Sequence, residues 1–289
     1  MDARNENKYG ERALILATPA IVWLGVFVLV PLAILLVFSL QGRDDLGRVQ
    51  YLWHFDNFER FVSGPYLKCL ARSVGLASIT TISLLVISYI FCLWLAFAAR
   101  PARRSLLLLA VVLPLWTSSL LRIYAWITIL RPTGIIAHLW GAAGMGQDLP
   151  PLLYTPFAVW LGMVYNYLPF MILPLYTAID KVDRRYIEAA FDLGAHPLAT
   201  VKDVLMPLTR GGIIAGAIMV FIPALGDYVV PDLMGGGKSM YMGNLIQNQF
   251  LLVRDWAFGS AVSTILIAIV SVAIYVYMRV DKPKGVIAD

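Results

Sequence analysis

The sequence predicts an all-α integral membrane protein of six transmembrane helices, with a short polar helix between the fourth and fifth. Three observations carry this. Sixty per cent of the residues are hydrophobic and only 14% are charged, against about 25% charged in a soluble domain. Six apolar runs approach or exceed the roughly 20 residues that cross a bilayer. Lysine and arginine crowd onto alternate connecting segments, the bias that marks the cytoplasmic side.

Residues 1–12 read as a cytoplasmic N-terminal segment carrying Arg4, Lys8 and Arg12. The first run, 13–40, is longer than the apolar core of about 7–15 residues in a signal peptide, so it is expected to stay as a span. The others are 73–99, 105–130, 153–179, 212–234 and 257–278, and residues 280–289 form a second cytoplasmic tail. The spans leave little chain for a soluble domain, so residues 13–279 read as one six-helix domain. The tight loop with Arg100, Arg103 and Arg104 and no acid is the best single orientation marker. It puts both termini and the loop 180–211 in the cytoplasm. The net charge of +5 reflects this bias and is no argument for nucleic acid. Cys69 and Cys92, one near an outer loop and one mid-span, support neither a disulfide framework nor a metal site.

Loop 180–211 is too polar and too regular for a simple connector. Asp183 suits the N-cap of a helix starting at Arg184. Tyr186, Ala189, Ala190 and Leu193 share one face. Glu188 and Asp192 share another, with Arg184 four residues before Glu188 and within pairing reach. Gly194 is a natural stop, since a left-handed cap costs glycine nothing. Pro197 opens a second short helix, and Pro207 is expected to break the chain before the fifth span. Periodicity alone fits an interfacial spacer helix equally well. The low surface of Ala189–Ala190 and the exposed acids, ill suited to anionic headgroups, favour a docking face for another protein.

Polar groups inside spans are few and therefore informative. Trp116, Thr117, Ser118, Arg122 and Trp126 lie in the third span, Tyr165, Asn166 and Tyr167 in the fourth, and Asp227 and Tyr228 in the fifth. With a rise of about 1.5 Å per residue, Arg122 and Asp227 both fall in the outer half. Asp227 either pairs with Arg122 or faces a cation at the mouth of a pathway. The tyrosines and Trp126 serve such a path or an interfacial aromatic belt. Pro31, Pro114, Pro169, Pro174 and Pro223 punctuate the spans, where kinks are tolerated beside neighbours or a cavity.

Gly235-Gly236-Gly237-Lys238-Ser239 imitates the end of a phosphate-binding loop. That motif needs a glycine where Asp232 stands and a preceding strand, so a flexible outer turn is expected instead. His54, His138 and His196 are isolated, and no metal-ligand or nucleophile–base spacing is visible. The chain reads as non-enzymatic.

Glu188-Ala189-Ala190, then Gly194, then Val204, Met206 and Pro207 at fixed spacing resembles the signature of the inner-membrane permease subunits of binding-protein-dependent ABC importers. Val204 and Met206 stand where Ile and Leu are commoner. The resemblance implies that the loop is a coupling helix seated on an ATPase subunit, with Glu188, Ala189, Ala190, Asp192, Gly194 and Pro207 as its contact residues. It implies a second permease, two ATPase subunits that bind ATP and Mg, an external solute-binding protein, a bacterial inner-membrane location and no cofactor in this chain. That external protein would meet segments such as 43–72 and 235–255. Leu115-Trp116-Thr117-Ser118, Arg122-Ile123-Tyr124-Ala125-Trp126, Gly226-Asp227-Tyr228-Val229-Val230-Pro231 and Phe55-Asp56-Asn57-Phe58 look like the spermidine/putrescine branch. On that reading Trp116, Tyr165, Asn166, Tyr167, Asp227 and Tyr228 line the path. Related branches for ferric ion, thiamine or opines share parts of these strings. A stand-alone secondary transporter should show several intramembrane acids or an inverted repeat, and neither is evident.

Overall fold

A computed structural model describes residues 3–43, 49–144 and 150–280. Of the segments named above, 44–48 of the outer stretch and 281–289 of the tail lie outside these residues. The chain divides into two compact units, Met1–Gly64 with Asn248–Ile267, and Pro65–Gln247 with Ala268–Asp289. Among the described residues, five helices are long and apolar enough to cross a membrane, and a sixth crossing exists if one bent pair is a single span.

In the first unit, helix α1 (Ala3–Ser39) runs unbroken through Pro19 and Pro31, so the N-terminal segment continues the first span as helix. Its membrane-length part is Ala17–Ser39. A departure from the all-helical expectation follows: β1 (Gln41–Arg43) pairs antiparallel with β2 (Val49–Trp53). Asn57 holds the junction of α1 and β1, donating its amide to the carbonyls of Ser39 at 3.1 Å and Gln41 at 2.8 Å. It stands on α2 (Asp56–Ser63), whose first turn is acidic, as the helix dipole favours. Arg60 of α2 pairs with Asp255 at 3.0 Å and stacks its guanidinium over Phe258 at 4.1 Å. The other Asp255 oxygen accepts the Phe258 N–H at 3.1 Å, capping the last of the described helices, Trp256–Val280.

In the second unit, α3 (Tyr66–Leu93) ends in a π turn, Trp94–Ala98. Then follow α4 (Pro101–Val112), α5 (Ser119–Leu130), α6 (Ile135–Ala142), α7 (Pro156–Asp180), α8 (Arg184–Asp192), α9 (Pro197–Ala199), α10 (Met206–Leu208), α11 (Arg210–Gly226), α12 (Val229–Gly235) and α13 (Met242–Asn248). Helices α3, α7 and α11 pack on one another. Their core holds Ala77, Leu84 and Cys92 of α3, Met163, Met171 and Leu175 of α7, and Val220 and Ala224 of α11.

The second, fourth and sixth runs appear as continuous helices. The third and fifth do not. Run 105–130 is interrupted where Pro114, lacking an N–H, tightens residues Leu113–Trp116 into a 3-10 turn. Thr117 and Ser118 then extend with ψ of 150° and 137°. The membrane-length segment that results is α5 with α6, Ser119–Ala142. Run 212–234 is interrupted at Asp227, whose ψ of 129° ends α11. The expected break at Pro207 is displaced. A π turn at Thr200–Leu205 precedes this proline, and the loosened bonding there absorbs its missing donor. The chain instead turns by 76° between Leu208 and Arg210, at Thr209.

Candidate functional site

Successive residues of an α-helix point about 100° apart, and three consecutive residues of α7 use this to reach two sides. Tyr165 meets Trp126 of α5 edge-on, with ring centroids 5.6 Å apart. Asn166 accepts from the Arg122 guanidinium at 2.7 Å, and the same guanidinium donates to the Pro114 carbonyl at 2.7 Å. That carbonyl also accepts the Thr117 hydroxyl at 2.8 Å, so the break in the third run is the hub of this polar group. A cleft of about 250 Å³ opens beside it, lined by Leu121, Arg122, Ala125, Trp126 and Tyr165. The Arg122 Nε is buried there without a partner.

On the other side, the buried Tyr167 donates its hydroxyl to Asp227 Oδ2 at 3.0 Å. Asp227 Oδ1 accepts the N–H of Val229 at 2.9 Å and of Val230 at 3.4 Å, so the carboxylate caps α12 while its backbone terminates α11. The pairing of Arg122 with Asp227 is therefore corrected. Arg122 gives Nη1 and Nη2 to two neutral oxygens, and the donors on Asp227 are neutral as well. The break at Pro114 offers Arg122 a backbone carbonyl acceptor, and the break at Asp227 offers its carboxylate the N–H donors of Val229 and Val230, so each finds local partners first.

Helix α13 seals the Asp227 joint. The Asn244 amide donates to the Tyr228 carbonyl at 3.2 Å, and the Met242 N–H donates to Ser73 of α3 at 2.8 Å. A Cβ on Gly243 would lie 2.8 Å from the Asp227 carbonyl oxygen, so only glycine lets this backbone approach the joint so closely. The Trp116 and Tyr228 side chains are exposed, at 76% and 42%. Among the described residues, no hydrogen bond or ring contact joins either side chain to the group.

At the α8 end, Asp183 caps the helix by accepting the Arg185 N–H at 3.0 Å. Gly194 takes φ +80° just after it. Glu188, Ala189, Asp192, Gly194 and Pro207 are exposed, but Ala190 is buried. The expected two-alanine surface is thus reduced to Ala189, because a helix turns neighbouring residues to different faces. Leu193 and Leu198 stand out at 88% and 74% exposure. Arg184 donates to the Phe97 carbonyl at 3.3 Å rather than pairing with Glu188. Sequence reasoning missed Tyr89, Thr209, Ser73 and Asn244. All four are buried polar side chains in or beside apolar helices, and that contrast with their surroundings was the available signal.

Turn 235–239 closes α12: Gly236 and Gly237 take φ of +64° and +70°.

Membrane-length helices interrupted at polar joints, with an exposed helical loop between two of them, are the architecture of a multi-pass membrane protein. Within that class the chain belongs to the family of binding-protein-dependent transport system inner membrane components, which residues 76–282 match. It is 40% identical over 260 residues to the spermidine/putrescine transport system permease protein PotB of Escherichia coli K12, covering 90% of this chain and 94% of that protein. PotB of Haemophilus influenzae is 41% identical, with 90% and 91% covered. The molybdenum transport system permease ModB of Azotobacter vinelandii is 32% identical over 59% of this chain and 73% of its own. A chain of the bacterial alginate ABC transporter, solved with an alginate pentasaccharide-bound periplasmic protein, shares the fold. Its TM-score is 0.73 at 15% identity, with 97% of this chain and 98% of that one covered.

Proposed function

We propose that this chain is one permease subunit of an ATP-driven importer for polyamines of the spermidine and putrescine type. The observation that carries the reading is the 40% identity to PotB sustained over 90% of the chain. The site chemistry agrees with it. Asp227 is a carboxylate at a helix break whose donors are a hydroxyl and two amides, so Arg122 leaves its negative charge to attract a polycation. In low dielectric such an attraction is strong, and Tyr228 adds an exposed aromatic face beside it.

Both termini and loop 180–211 lie on the cytoplasmic side of the inner membrane in this reading. The loop seats on an ATPase subunit, with Ala189 as the close-contact residue and Glu188, Asp192 and Gly194 around it. Two ATPase subunits hold the ATP and Mg, and their closure moves the loop. A second permease completes the path, and an external solute-binding protein docks above. Within the outer segments offered for that docking, Tyr241–Leu245 are buried. The accessible parts of 235–255 are therefore Gly236–Lys238, Met240 and Leu251–Arg254.

The test is ATPase stimulation and vesicle uptake by the reconstituted complex with its binding protein. Spermidine, putrescine, ferric ion, thiamine and an opine are the probes. Stimulation and uptake by the two polyamines are expected. Stimulation by another solute alone overturns the cargo, and ion-driven flux by the chain without partners overturns the importer reading.

A further inference from the structure

A buried hydrogen bond ties the bend after loop 180–211 to α3. The Tyr89 hydroxyl lies 3.1 Å from the Thr209 hydroxyl. Tyr89 is 4% exposed and Thr209 is 1% exposed. Thr209 is the hinge residue: it sits between Leu208 and Arg210, where the two helical segments turn by 76°. Its own hydroxyl donates to the Leu205 carbonyl at 2.7 Å, at the end of the π turn. Because Thr209 gives its single hydroxyl proton to Leu205, Tyr89 is the donor in the bond between the two hydroxyls.

A second tie joins the same two elements. Arg184, at the start of α8, donates to the carbonyl of Phe97 in the π turn that ends α3. The two ends of the loop segment 184–209 are thus fastened to two points on one helix, on either side of the start of its π turn. Single π turns interrupt regular helical bonding and are frequent at functional sites, and one lies on each side of the pair, at Trp94–Ala98 and Thr200–Leu205. The Arg184 tie is exposed and weak. The Tyr89 tie is buried: losing Thr209 would strand the Tyr89 hydroxyl without solvent, while losing Tyr89 would cut the tie and leave Thr209 bonded only to Leu205.

We propose that the Tyr89–Thr209 hydrogen bond is the latch that transmits movement of the loop into α3, making Tyr89 a positioning residue for transport. This rests on the reading of loop 180–211 as the ATPase-coupling element. If the loop moves, Thr209 moves with it, and the latch obliges α3 to follow. Without the latch the 76° bend absorbs the movement, and ATP is hydrolysed without displacing the span.

The experiment uses the complete reconstituted importer carrying Tyr89→Phe, which keeps the ring and removes only the hydroxyl. ATP hydrolysis and substrate uptake are measured together, with assembly and thermal stability of the complex alongside. Uptake per ATP hydrolysed is expected to fall roughly tenfold, as for loss of one buried hydrogen bond, with the complex intact. Thr209→Val should do the same, Thr209→Ser should restore the ratio, and Tyr89→Phe with Thr209→Val should be no worse than either alone. A wild-type ratio in Tyr89→Phe, or an additive double variant, overturns the latch. If neither Tyr89→Phe nor Thr209→Val assembles, the pair is a packing contact and the latch is likewise overturned. Ala189→Glu in the same assay separates the two readings. Lost ATPase docking there with a normal Tyr89→Phe refutes the latch alone, whereas normal docking and transport by Ala189→Glu refutes the coupling surface.

Discussion

The Tyr167 hydroxyl donates to the Asp227 carboxylate across 3.0 Å, joining the middle of α7 to the break between α11 and α12. This contact orients the acid without neutralising it, since phenol and backbone amides bring no formal charge.

Asp227→Asn should lower polyamine uptake by roughly tenfold or more, because a charge-assisted contact contributes more than a neutral one. The complex should stay assembled, since an asparagine Oδ1 still caps α12. Uptake by reconstituted vesicles, read beside gel filtration of the complex, is the check; loss of assembly would instead make Asp227 a structural cap.

Tyr167→Phe should have a smaller effect, around threefold on uptake, because the Val229 and Val230 amides continue to hold Asp227 Oδ1. An effect equal to Asp227→Asn would mean that Tyr167 itself faces the substrate.

Replacing Gly194 by valine should weaken binding of the ATPase subunit and reduce coupled transport. A β-branched residue at φ +80° costs about 1–2 kcal/mol, so the turn after α8 should shift and carry Ala189 with it. Pull-down of the ATPase by the purified permease measures this, and undiminished binding would place the contact elsewhere.

Asp255→Ala should destabilise the first unit by about 1–2 kcal/mol, mainly through loss of the cap. Arg60 is 48% exposed, so water replaces much of the ion pair for it. Thermal unfolding in detergent should show the drop, while Glu59→Ala on the same α2 should show almost none.

Gly243→Val should perturb the Asp227 joint, because its side chain would enter space held by the Asp227 carbonyl. Overpacking of this kind costs about 1–3 kcal/mol. Lower uptake with normal ATPase docking is the expected pattern; a wild-type uptake rate would show that α13 moves aside freely.

Much of this was legible in the chain itself. Apolar runs must become helices in a membrane because no water satisfies their backbone, so the first, second, fourth and sixth span ends follow approximately from composition, whereas the third moves from 105–130 to Ser119–Ala142 and the fifth is broken. Asp183 and Gly194 likewise announce the ends of α8, since capping and left-handed turns depend on single local residues. The partners of polar groups were not legible. Arg122 and Asp227 looked complementary by charge and depth, yet each found a nearer neutral partner exposed by a helix break. Pro114 was legible as a kink, but the extended stretch that follows it and the break at Asp227 depend on the helices around them. Ala189 and Ala190 differ in exposure because packing chose which face of α8 turns inward. Tyr89 and Thr209 stand 120 residues apart, as Arg60 and Asp255 stand 195 apart. Sequence alone therefore determined the membrane helices, the polar loop and the residue types available for chemistry. Only tertiary structure decided which of those residues meet, because hydrogen bonds act over about 3 Å and that proximity is set by how the helices pack.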